Sequence, residues 1–462
     1  MATTLKLRHL ASYGGASTGK VAIEMLLQLY LFDFYTRILG LSPILAGAAF
    51  AIAILWDAVS DLVVSIGLFK ARESGYLYTS FVLGGGIILA ASTAFLFSAS
   101  PGQSETALFL QLLLAYALVN TGMTLVDLPQ TSMSAELSPH PNVRNKLLAC
   151  RMGMGILGLV IGSSVPGIFV SGDNLAAAAQ SRTTGGYVLA ALVVAATTMT
   201  FVGLRHADRT SARNKVVELP NWGDAFSILK EPYFLGIFTA SVIAAIGRTI
   251  NAALALLYYR LVLNLSEADV TRIIFPIFTL AIVLSIPLWV HLSKRYGKSR
   301  PAWISVGSLG LMGMIAYPIL PEGQLWPPVI ISIIGGFFCG SVFLVDSMIT
   351  DLIDRDEAAT GKRKESLFFA IQKSGVKMSR AIAFVAIGGA LQLTGIDLDQ
   401  TEVPASDQLF IILLFGVVVG LCFVACAFFL RRTEGLFLDE SKPTEGENQE
   451  WVTFGRRSEA KE

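Results

Sequence analysis

The segment Pro43–Lys70 reads PILAGAAFAIAILWDAVSDLVVSIGLFK, and as a helix it is long enough to cross a bilayer. Its charges before Lys70 are Asp57 and Asp61. Helical spacing places Asp57, Ser60 and Asp61 at positions i, i+3 and i+4, so their side chains share one face, with the carboxylates roughly 5–6 Å apart. Because a carboxylate at the bilayer centre costs about 2.5–3.5 kcal/mol on insertion scales, this pair requires a cation, a proton or a water-filled cavity.

The residue types on this face favour a small hard cation. Carboxylate and hydroxyl oxygens suit Na⁺ or H⁺, and the segment has no Cys or His to hold a transition metal. We therefore predict a coupling-ion site, with Asp57 and Asp61 as the residues that would hold Na⁺. Thr124 and Asp127, which are i, i+3 neighbours at a similar depth, would complete the ion shell or contact the substrate. The alternative is structural, with the aspartates paired to basic side chains.

The composition extends the membrane assignment to the whole chain. Of 462 residues, 53% are hydrophobic and 15% are charged, which is typical of a polytopic membrane protein. The 35 basic residues nearly balance the 34 acidic ones, so there is no sign of a nucleic-acid surface. Runs of about 20 apolar residues predict twelve membrane spans. These spans start near Gly19, Pro43, Tyr76, Ala107, Leu147, Gly185, Tyr233, Val270, Ala302, Pro327, Ser366 and Leu409.

The longest polar segment divides the chain near its middle. It runs from Arg205 to Glu231 and separates two sets of six predicted spans. The expected organisation is a six-helix bundle over residues 1–204, a cytoplasmic middle loop over 205–232, a second six-helix bundle over 233–432 and a disordered cytoplasmic tail over 433–462.

A short repeat supports the division into two related halves. Ser132–Leu137 reads SMSAEL and Ser347–Leu352 reads SMITDL. Each follows an aspartate, Asp127 or Asp346, and each precedes a basic loop. Recurrence at the same relative span predicts a duplicated six-span unit. Two bundles that rock about a central site are the mechanism that such a repeat permits.

The distribution of Lys and Arg predicts the orientation. Basic residues gather in alternate loops, such as the one with Lys70 and Arg72, and such loops stay cytoplasmic. The opposite loops hold mainly Arg37, Arg182 and Arg260. The sequence therefore predicts an integral protein of the plasma membrane, in a bacterium the inner membrane, with both termini cytoplasmic.

Charged residues inside other spans predict a cavity between the halves. Lys377 is the expected counter-charge for the two aspartates and would compete with the coupling ion. Glu24 and Arg248 lie too deep to snorkel, so both should face a cavity. Asp127 either contacts substrate or forms a structural pair with Arg151. Basic residues outnumber acidic ones in this interior, which favours a substrate with an anionic group. The basic residues are Lys20, Arg151, Arg248, Lys373, Lys377 and Arg380, and the acidic ones are Glu24, Asp57, Asp61 and Asp127.

Charged residues at the cytoplasmic ends of the spans indicate a gate. Glu136, Asp351 and Asp354 are followed across short loops by Arg144 and Arg363. Pairs of this kind would hold one access state shut and break in the other. Solvated loop charges are the alternative.

The motifs of the chain resemble those of the glycoside-pentoside-hexuronide:cation symporter family of the major facilitator superfamily, to which melibiose permease belongs. The resemblance covers most of the chain and implies twelve transmembrane helices in two pseudo-symmetric six-helix bundles. The motifs are Tyr13-Gly14, Gly19-Lys20, Tyr35-Thr36, Gly40-Leu41-Ser42, Trp56-Asp57-Ala58 with Asp61, Gly122-Met123-Thr124 with Asp127 and Pro129, Asp351 with Asp354, Arg363 with Glu365-Ser366, and Gln372 with Lys377.

The resemblance also implies roles for single residues. It implies a Na⁺, Li⁺ or H⁺ site at Asp57, Ser60, Asp61 and Thr124, with Lys377 beside it. It implies sugar contacts at Lys20, Asp127, Arg151 and Gln372, to which the interior charges add Glu24, Arg248, Lys373 and Lys377 as predicted substrate-binding residues. Val21 stands where melibiose permease has a sugar-binding aspartate, and Thr131 stands in place of its tryptophan, which argues against a galactoside. The added positive charge fits a hexuronide or another acidic sugar.

The predicted function is secondary active transport and not enzyme catalysis. We expect cation-coupled symport of a sugar or sugar-like solute by alternating access, with a small-molecule substrate and the lipid bilayer as partners, no nucleic acid and a monomeric chain. No cofactor is expected beyond the coupling ion, Na⁺, Li⁺ or H⁺. An H⁺-coupled exporter and a transporter of lysolipid or another amphiphile are the alternatives. A membrane-embedded enzyme is less favoured, because no metal cluster, nucleophile motif or phosphate loop is present in the sequence.

Overall fold

The computed structural model describes residues 7–137, 141–170, 175–210, 227–360, 364–396, 398 and 403–434. Within these ranges the chain consists of helices and short connections, without a β-strand, so the predicted all-α fold class is confirmed. Arg363, residues 211–226 of the predicted middle loop and the tail from residue 435 lie outside the described residues.

Six long helices make up the first half. Two π-helical segments, Leu27–Leu31 and Phe34–Ile38, continue the first of them towards the next helix. Along the bundle, the first helix packs against the fifth and sixth, and the third packs against the fourth and sixth. The six helices are α1 (Leu7–Leu26), α2 (Pro43–Glu73), α3 (Tyr78–Leu96), α4 (Glu105–Glu136), α5 (Pro141–Ile168) and α6 (Leu175–Thr210).

The second half, as far as the structure describes it, also contains six spans, and two of them are each divided into two helices. Its helices are α7 (Pro232–Leu257), α8 (Phe275–Tyr296), α9 (Ser299–Ala316), α10 (Trp326–Cys339), α11 (Phe343–Thr360), α12 (Glu365–Thr394), α13 (Ala405–Ile412) and α14 (Val419–Arg432). Together α10 and α11 form a single span, and so do α13 and α14. The short helix Glu267–Asp269 and the π-helical segment Val270–Ile274 lead into α8.

Eleven helices in the described part of the chain are long and apolar enough to cross a membrane, judged by length and composition. They correspond to the second to twelfth predicted spans. The first span, α1 with its continuation, is more polar because it carries Lys20, Glu24 and Asp33. The predicted start of this span near Gly19 was wrong, since the helix begins at Leu7. Polar side chains in the first turns of α1 are buried by helix packing, so the helix begins before the apolar run that hydropathy detects.

A second internal repeat, which the sequence analysis did not identify, lies at the turns after α1 and α7. Tyr35–Ser42 reads YTRILGLS and Tyr259–Ser266 reads YRLVLNLS. In both turns the residue before Leu-Ser has a positive φ, 76° at Gly40 and 54° at Asn264. The backbone hydrogen bonds also correspond, with Leu41 N bonded to Tyr35 O and Leu265 N to Tyr259 O. These matching turns support a duplicated unit.

The two bundles pack against each other at the end of the molecule that carries these turns, which we call the Gly40 end. Helix α2 packs along α12. A Cβ added at Gly47 would collide with the carbonyl oxygen of Phe384, and one at Gly388 with that of Pro43. The rings of Phe50 and Phe384 stack with centroids 4.4 Å apart. Close backbone approach therefore joins the bundles at this end.

Candidate functional site

A cavity of about 680 Å³ lies between the two bundles, within the range of about 300–1,000 Å³ typical of small-molecule sites. Most of the predicted site residues line it. They are Lys20, Glu24, Asp57, Asp61, Thr124, Asp127, Arg248, Gln372, Lys373 and Lys377. The cavity thus brings together residues that the sequence placed on five different spans.

The predicted cation residues form one cluster, contributed by both bundles. Lys377 Nζ on α12 lies 2.8 Å from Asp57 Oδ2 and 2.5 Å from Asp61 Oδ2 on α2. The Thr124 hydroxyl on α4 donates to Asp61 Oδ1 at 2.7 Å. Two carboxylates and one ammonium leave the group one positive charge short of neutrality. The pairing is compatible with both interpretations of the aspartates, a structural ion pair with a basic side chain and a cation site.

Ser60 takes a different position from the one expected of an ion ligand. It is 2% exposed and lies outside the cavity lining. Its hydroxyl donates to the backbone carbonyl oxygen of Asp57, at 3.0 Å, in its own helix. The predicted role of Ser60 as an ion ligand stays a prediction.

A second ion cluster lies entirely within the first bundle. Asp127 Oδ1 on α4 accepts hydrogen bonds from Lys20 Nζ on α1 at 2.9 Å and from Arg151 Nη2 on α5 at 2.7 Å. Arg151 Nη1 also donates to the Thr131 hydroxyl at 2.7 Å. Both interpretations of Asp127 are therefore compatible with its position, because it pairs with Arg151 and also faces the cavity. These groups offer donors and acceptors to a hydroxylated solute.

The second bundle contributes charges of a different kind. Arg248 on α7 and Lys373 on α12 are both exposed to the cavity. Asp346 on α11 lines the cavity between them, and it belongs to the repeat that the sequence singled out. Gln372 is 5% exposed, and its Oε1 has no hydrogen-bond partner among the described atoms.

The predicted gate residues lie near the opposite end of the bundles, which we call the Arg72 end after the last turn of α2. Asp351 forms an ion pair with Lys298, 2.5 Å from its Nζ, and sequence reasoning had not assigned Lys298 a partner. Glu136 ends α4, and its side chain lies outside what the structure describes. Arg144 is exposed on the first turn of α5. The pairs of Glu136, Asp351 or Asp354 with Arg144 or Arg363 remain predictions.

Sequence reasoning missed a buried ion cluster at the Gly40 end. The Arg37 guanidinium donates to Asp33 at 2.7 and 2.8 Å and to Glu267 at 2.8 Å. Arg182 donates to the other oxygen of Glu267 at 2.6 Å and lies over the Tyr30 ring, 4.4 Å from its centroid. The cluster joins the bundles, because Glu267 belongs to the second one.

The expectation that Arg37 and Arg182 lie in loops was therefore wrong, since both belong to helical segments. Arg37 is 6% exposed and Arg182 is 0% exposed. Counting charge near the ends of apolar runs assigns such residues to loops, whereas here the helices extend beyond the apolar runs. The spacing of Asp33 and Arg37, an acid and a base at i, i+4, is the local signal that could have identified a pair.

Comparison with known proteins places this architecture among transporters. The family model described as MFS/sugar transport protein matches residues 12–434. The uncharacterized symporter YjmB of Bacillus subtilis is 24% identical over 403 residues, with 85% of this chain and 84% of that protein covered. The putative sulfoquinovose importer of Escherichia coli is 25% identical over 404 residues, covering 82% and 80%. The sodium-dependent lysophosphatidylcholine symporter 1 of Gallus gallus is 21% identical over 457 residues, covering 90% and 84%.

Solved structures share the fold. The nucleoside transporter NupG superposes with a TM-score of 0.61 at 14% identity and covers 93% of this chain and 99% of its own. A bacterial homolog of the human lysosomal transporter Spinster, solved in an inward-facing conformation, superposes with a TM-score of 0.63 at 13% identity and covers 95% and 98%. At these identities the likeness establishes the fold alone.

Proposed function

The chain belongs to the MFS/sugar transport protein family, and from that premise we propose that it is a cation-coupled symporter of a sugar or sugar-like solute that works by alternating access. Membership confirms the family resemblance predicted from the sequence, and it makes the protein a membrane transporter and not an enzyme. The proposal adds the coupling ion and the class of solute.

One observation carries the proposal. Lys377 of the second bundle contacts Asp57 and Asp61 of the first, so a single ion site also joins the two bodies that must move apart. Na⁺, Li⁺ or H⁺ bound by the two carboxylates would weaken their attraction to the ammonium, because the cations compete for the same negative charge. Ion binding then changes the free-energy difference between conformations, typically by 1–3 kcal/mol for a coupling of this kind.

The solute would bind beside this site. Lys20, Asp127 and Arg151 form a polar surface on the first bundle, and charged donors and acceptors of this type fit hydroxyl groups. Two of the similar proteins support a small solute or a symport mechanism by name, the sulfoquinovose importer and the symporter YjmB.

We take the contacts at the Gly40 end as the closed extracellular side of an inward-facing state. This assignment rests on the predicted orientation, because basic residues gather at the Arg72 end and support a cytoplasmic position for both termini. The plasma membrane, in a bacterium the inner membrane, is the proposed location, and a monomer without a nucleic-acid partner is the proposed state. The boundaries at residues 204, 232 and 432 belong to the same proposal.

A thermal-unfolding titration of the purified full-length protein tests the cation site. Replacing K⁺ by Na⁺ or Li⁺ at constant ionic strength, or lowering the pH, should raise the melting temperature of the wild type, because an ion that binds the folded state stabilises it. Asp61→Asn should remove this response, and Glu322→Gln, on an exposed turn, should keep it. The proposal is refuted if Na⁺, Li⁺ and H⁺ each raise the melting temperature of the wild type no more than they raise that of Asp61→Asn.

Proteoliposomes test the transport cycle itself. An imposed Na⁺ or H⁺ gradient should drive uptake from a panel of glucose, xylose, glucuronate and sulfoquinovose, and Asp61→Asn should abolish the drive. Concentrative uptake that persists unchanged in the variant would contradict symport through this site.

Transport of an amphiphile is the second candidate. Relatives named for lysophosphatidylcholine in Gallus gallus and for sphingosine 1-phosphate in Mus musculus favour it. Lysophosphatidylcholine in the same uptake assay separates it from sugar transport. The direction of flux under a known gradient separates symport from the third possibility, H⁺-coupled export.

A further inference from the structure

Three basic side chains of the second bundle line the cavity and form no ion pair with any residue that the structure describes. They are Arg248 on α7 and Lys373 and Arg380 on α12. Within the described part of the chain none of the three forms an ion pair or a hydrogen bond, whereas Lys377, between the two on α12, contacts two carboxylates. The first bundle has no such surplus in the cavity, because its Lys20 and Arg151 both bind Asp127.

Helix geometry places these cations together. Lys373, Lys377 and Arg380 follow one another at i, i+4 and i+7, so they form a stripe along one face of α12. Helix α7 packs against α12 and brings the charge of Arg248 into electrostatic range of Arg380. Two guanidinium groups that repel each other at the centre of a membrane protein are an unfavourable arrangement unless an anion joins them.

The acids of the cavity do not remove this surplus. Asp346 lies in electrostatic range of Arg248 and Lys373, and Asp57 lies in range of Arg380. Within the described residues neither carboxylate forms an ion pair with any of the three cations, and Asp57 is paired with Lys377. The lining itself carries five basic and five acidic side chains. Arg151, which lies beside it in an ion pair with Asp127, brings the count to six basic against five acidic, a surplus of one. A coupling cation held by Asp57 and Asp61 would raise the surplus to two.

We propose that Arg248, Lys373 and Arg380 form a subsite for an oxyanion group of the transported solute, a carboxylate, sulfonate or phosphate. The inference rests on the proposed transport function and assigns its substrate class. The planar guanidinium fork matches the geometry of an oxyanion, and paired arginines bind one better than a point charge does. The body of the solute would then reach Lys20 and Asp127 across the cavity.

The arrangement also links the anion to the coupling ion. A cation at the two aspartates adds positive charge to the cavity, so it strengthens binding of an oxyanion, and by linkage the oxyanion strengthens binding of the cation to the same extent. A neutral solute at the same position gains nothing from this electrostatic effect.

Ligand-induced shifts of the melting temperature test the subsite in the purified full-length protein. The probes are glucuronate, glucose 6-phosphate, inorganic sulfate and lysophosphatidate, compared with neutral glucose at equal ionic strength. We expect the oxyanion probes to stabilise the wild type more than glucose does, and more in Na⁺ than in K⁺. Stabilisation by glucuronate and glucose 6-phosphate but not by lysophosphatidate would assign the oxyanion to a sugar, and the converse would assign it to a lipid.

Substitutions separate a binding role from a structural one. Arg248→Gln and Arg380→Gln should each weaken oxyanion binding by about tenfold or more, as loss of a hydrogen bond to a charged group does. Neither should lower the melting temperature without ligand by more than a few degrees, because neither side chain forms an ion pair or a hydrogen bond within the described residues. Arg380→Lys should retain more binding than Arg380→Gln, and Arg300→Gln, exposed outside the cavity, should bind as the wild type.

The outcomes distinguish this proposal from the transport function on which it rests. Equal stabilisation by glucose and all the oxyanions, or oxyanion binding unchanged in the Arg248→Gln/Arg380→Gln double variant, would overturn the subsite. If the Na⁺ response survives in that case, cation-coupled symport stands and only the substrate class is wrong. Loss of the Na⁺ response in the wild type would instead refute the symport function.

Discussion

Two ion clusters join the bundles, and they differ in charge balance and in access to water. The cluster at the Gly40 end pairs two acids, Asp33 and Glu267, with Arg37 and Arg182, and its side chains are between 0% and 5% exposed. The cluster at the cavity pairs Lys377 with two aspartates, and the Asp61 side chain is 37% exposed. The buried cluster has balanced charge and needs no external ion for neutrality. The cavity cluster has a net negative charge and is accessible to water, so a bound cation would neutralise it.

The difference separates a structural lock from an exchange site. Every carboxylate oxygen in the cluster at the Gly40 end is within hydrogen-bond distance of a guanidinium nitrogen, so opening this end separates charges that are paired in the closed state. In the cavity cluster a bound cation can substitute for the ammonium at little electrostatic cost. The closed end should therefore be stable on its own, and the cavity site should decide when it opens.

Glu267→Gln should have the largest effect, because it leaves Arg37 and Arg182 buried with one acid between them. Breaking a buried ion pair by removing one partner typically costs 3–5 kcal/mol. The variant should melt well below the wild type in detergent, and a cysteine placed in the turn after α1 should react faster with a membrane-impermeant thiol reagent as the Gly40 end opens.

Glu322→Gln is the matched control for this variant, since Glu322 lies on an exposed turn at the same end of the molecule. It removes the same charge without a buried partner. If Glu267→Gln melts like Glu322→Gln, the cluster does not stabilise the closed end, and the distinction drawn between the two clusters fails.

Lys377→Gln should have an intermediate effect, which begins at the ion site. Removing the ammonium leaves Asp57 and Asp61 facing each other without compensation, so the apparent affinity for Na⁺ should rise by about tenfold, which corresponds to 1.4 kcal/mol. The variant should be less stable than the wild type in K⁺ and should recover in Na⁺. Its Na⁺ titration, followed by thermal unfolding, checks both expectations.

The same variant tests the link between ion and conformation. Without Lys377 the cation no longer breaks a contact between the bundles, so Na⁺ should bind more tightly and yet drive uptake poorly. Normal Na⁺-driven uptake in Lys377→Gln would show that coupling does not pass through this ion pair.

The contrast between the clusters also explains what the sequence could predict. Asp57 and Asp61 were found because helical spacing is local and charge inside a long apolar run is costly. Lys377 was then predicted as their partner, because two carboxylates inside the membrane require a nearby positive charge. The pairing of Arg37 with Glu267 joins residues 230 positions apart, and no local pattern indicates which acid a buried arginine will meet.

The positions of helix ends were a second limit of prediction. Hydropathy locates the centre of a span well, so the starts near Pro43 and Tyr233 agree with the helices. It fails where polar side chains are buried in the helix, as in the first turns of α1, because helix packing and not hydrophobicity keeps them there. The sequence predicted which basic residues face the cavity. Only the packed helices show that Arg248, Lys373 and Arg380 form no ion pair within the described part of the chain.

Thr124→Val should have the smallest effect and gives the finest test of the exchange site. The Thr124 hydroxyl donates to Asp61 at 2.7 Å and would become an oxygen ligand once a cation replaces the ammonium. Losing one such hydrogen bond typically costs about 0.5–1.5 kcal/mol, so the affinity for Na⁺ should fall by about two- to tenfold without loss of the fold. The measurement is the Na⁺ concentration at half-maximal thermal stabilisation.

Thr121→Val is the control one helical turn away on α4, because the Thr121 hydroxyl bonds Trp56 and the backbone and neither aspartate. It should leave the Na⁺ titration unchanged. A Thr124→Val variant that also titrates like the wild type would mean that the hydroxyl only orients Asp61 and that the two carboxylates hold the ion without it. The exchange site would then be defined by its missing positive charge alone, which is the property that distinguishes it from the buried lock.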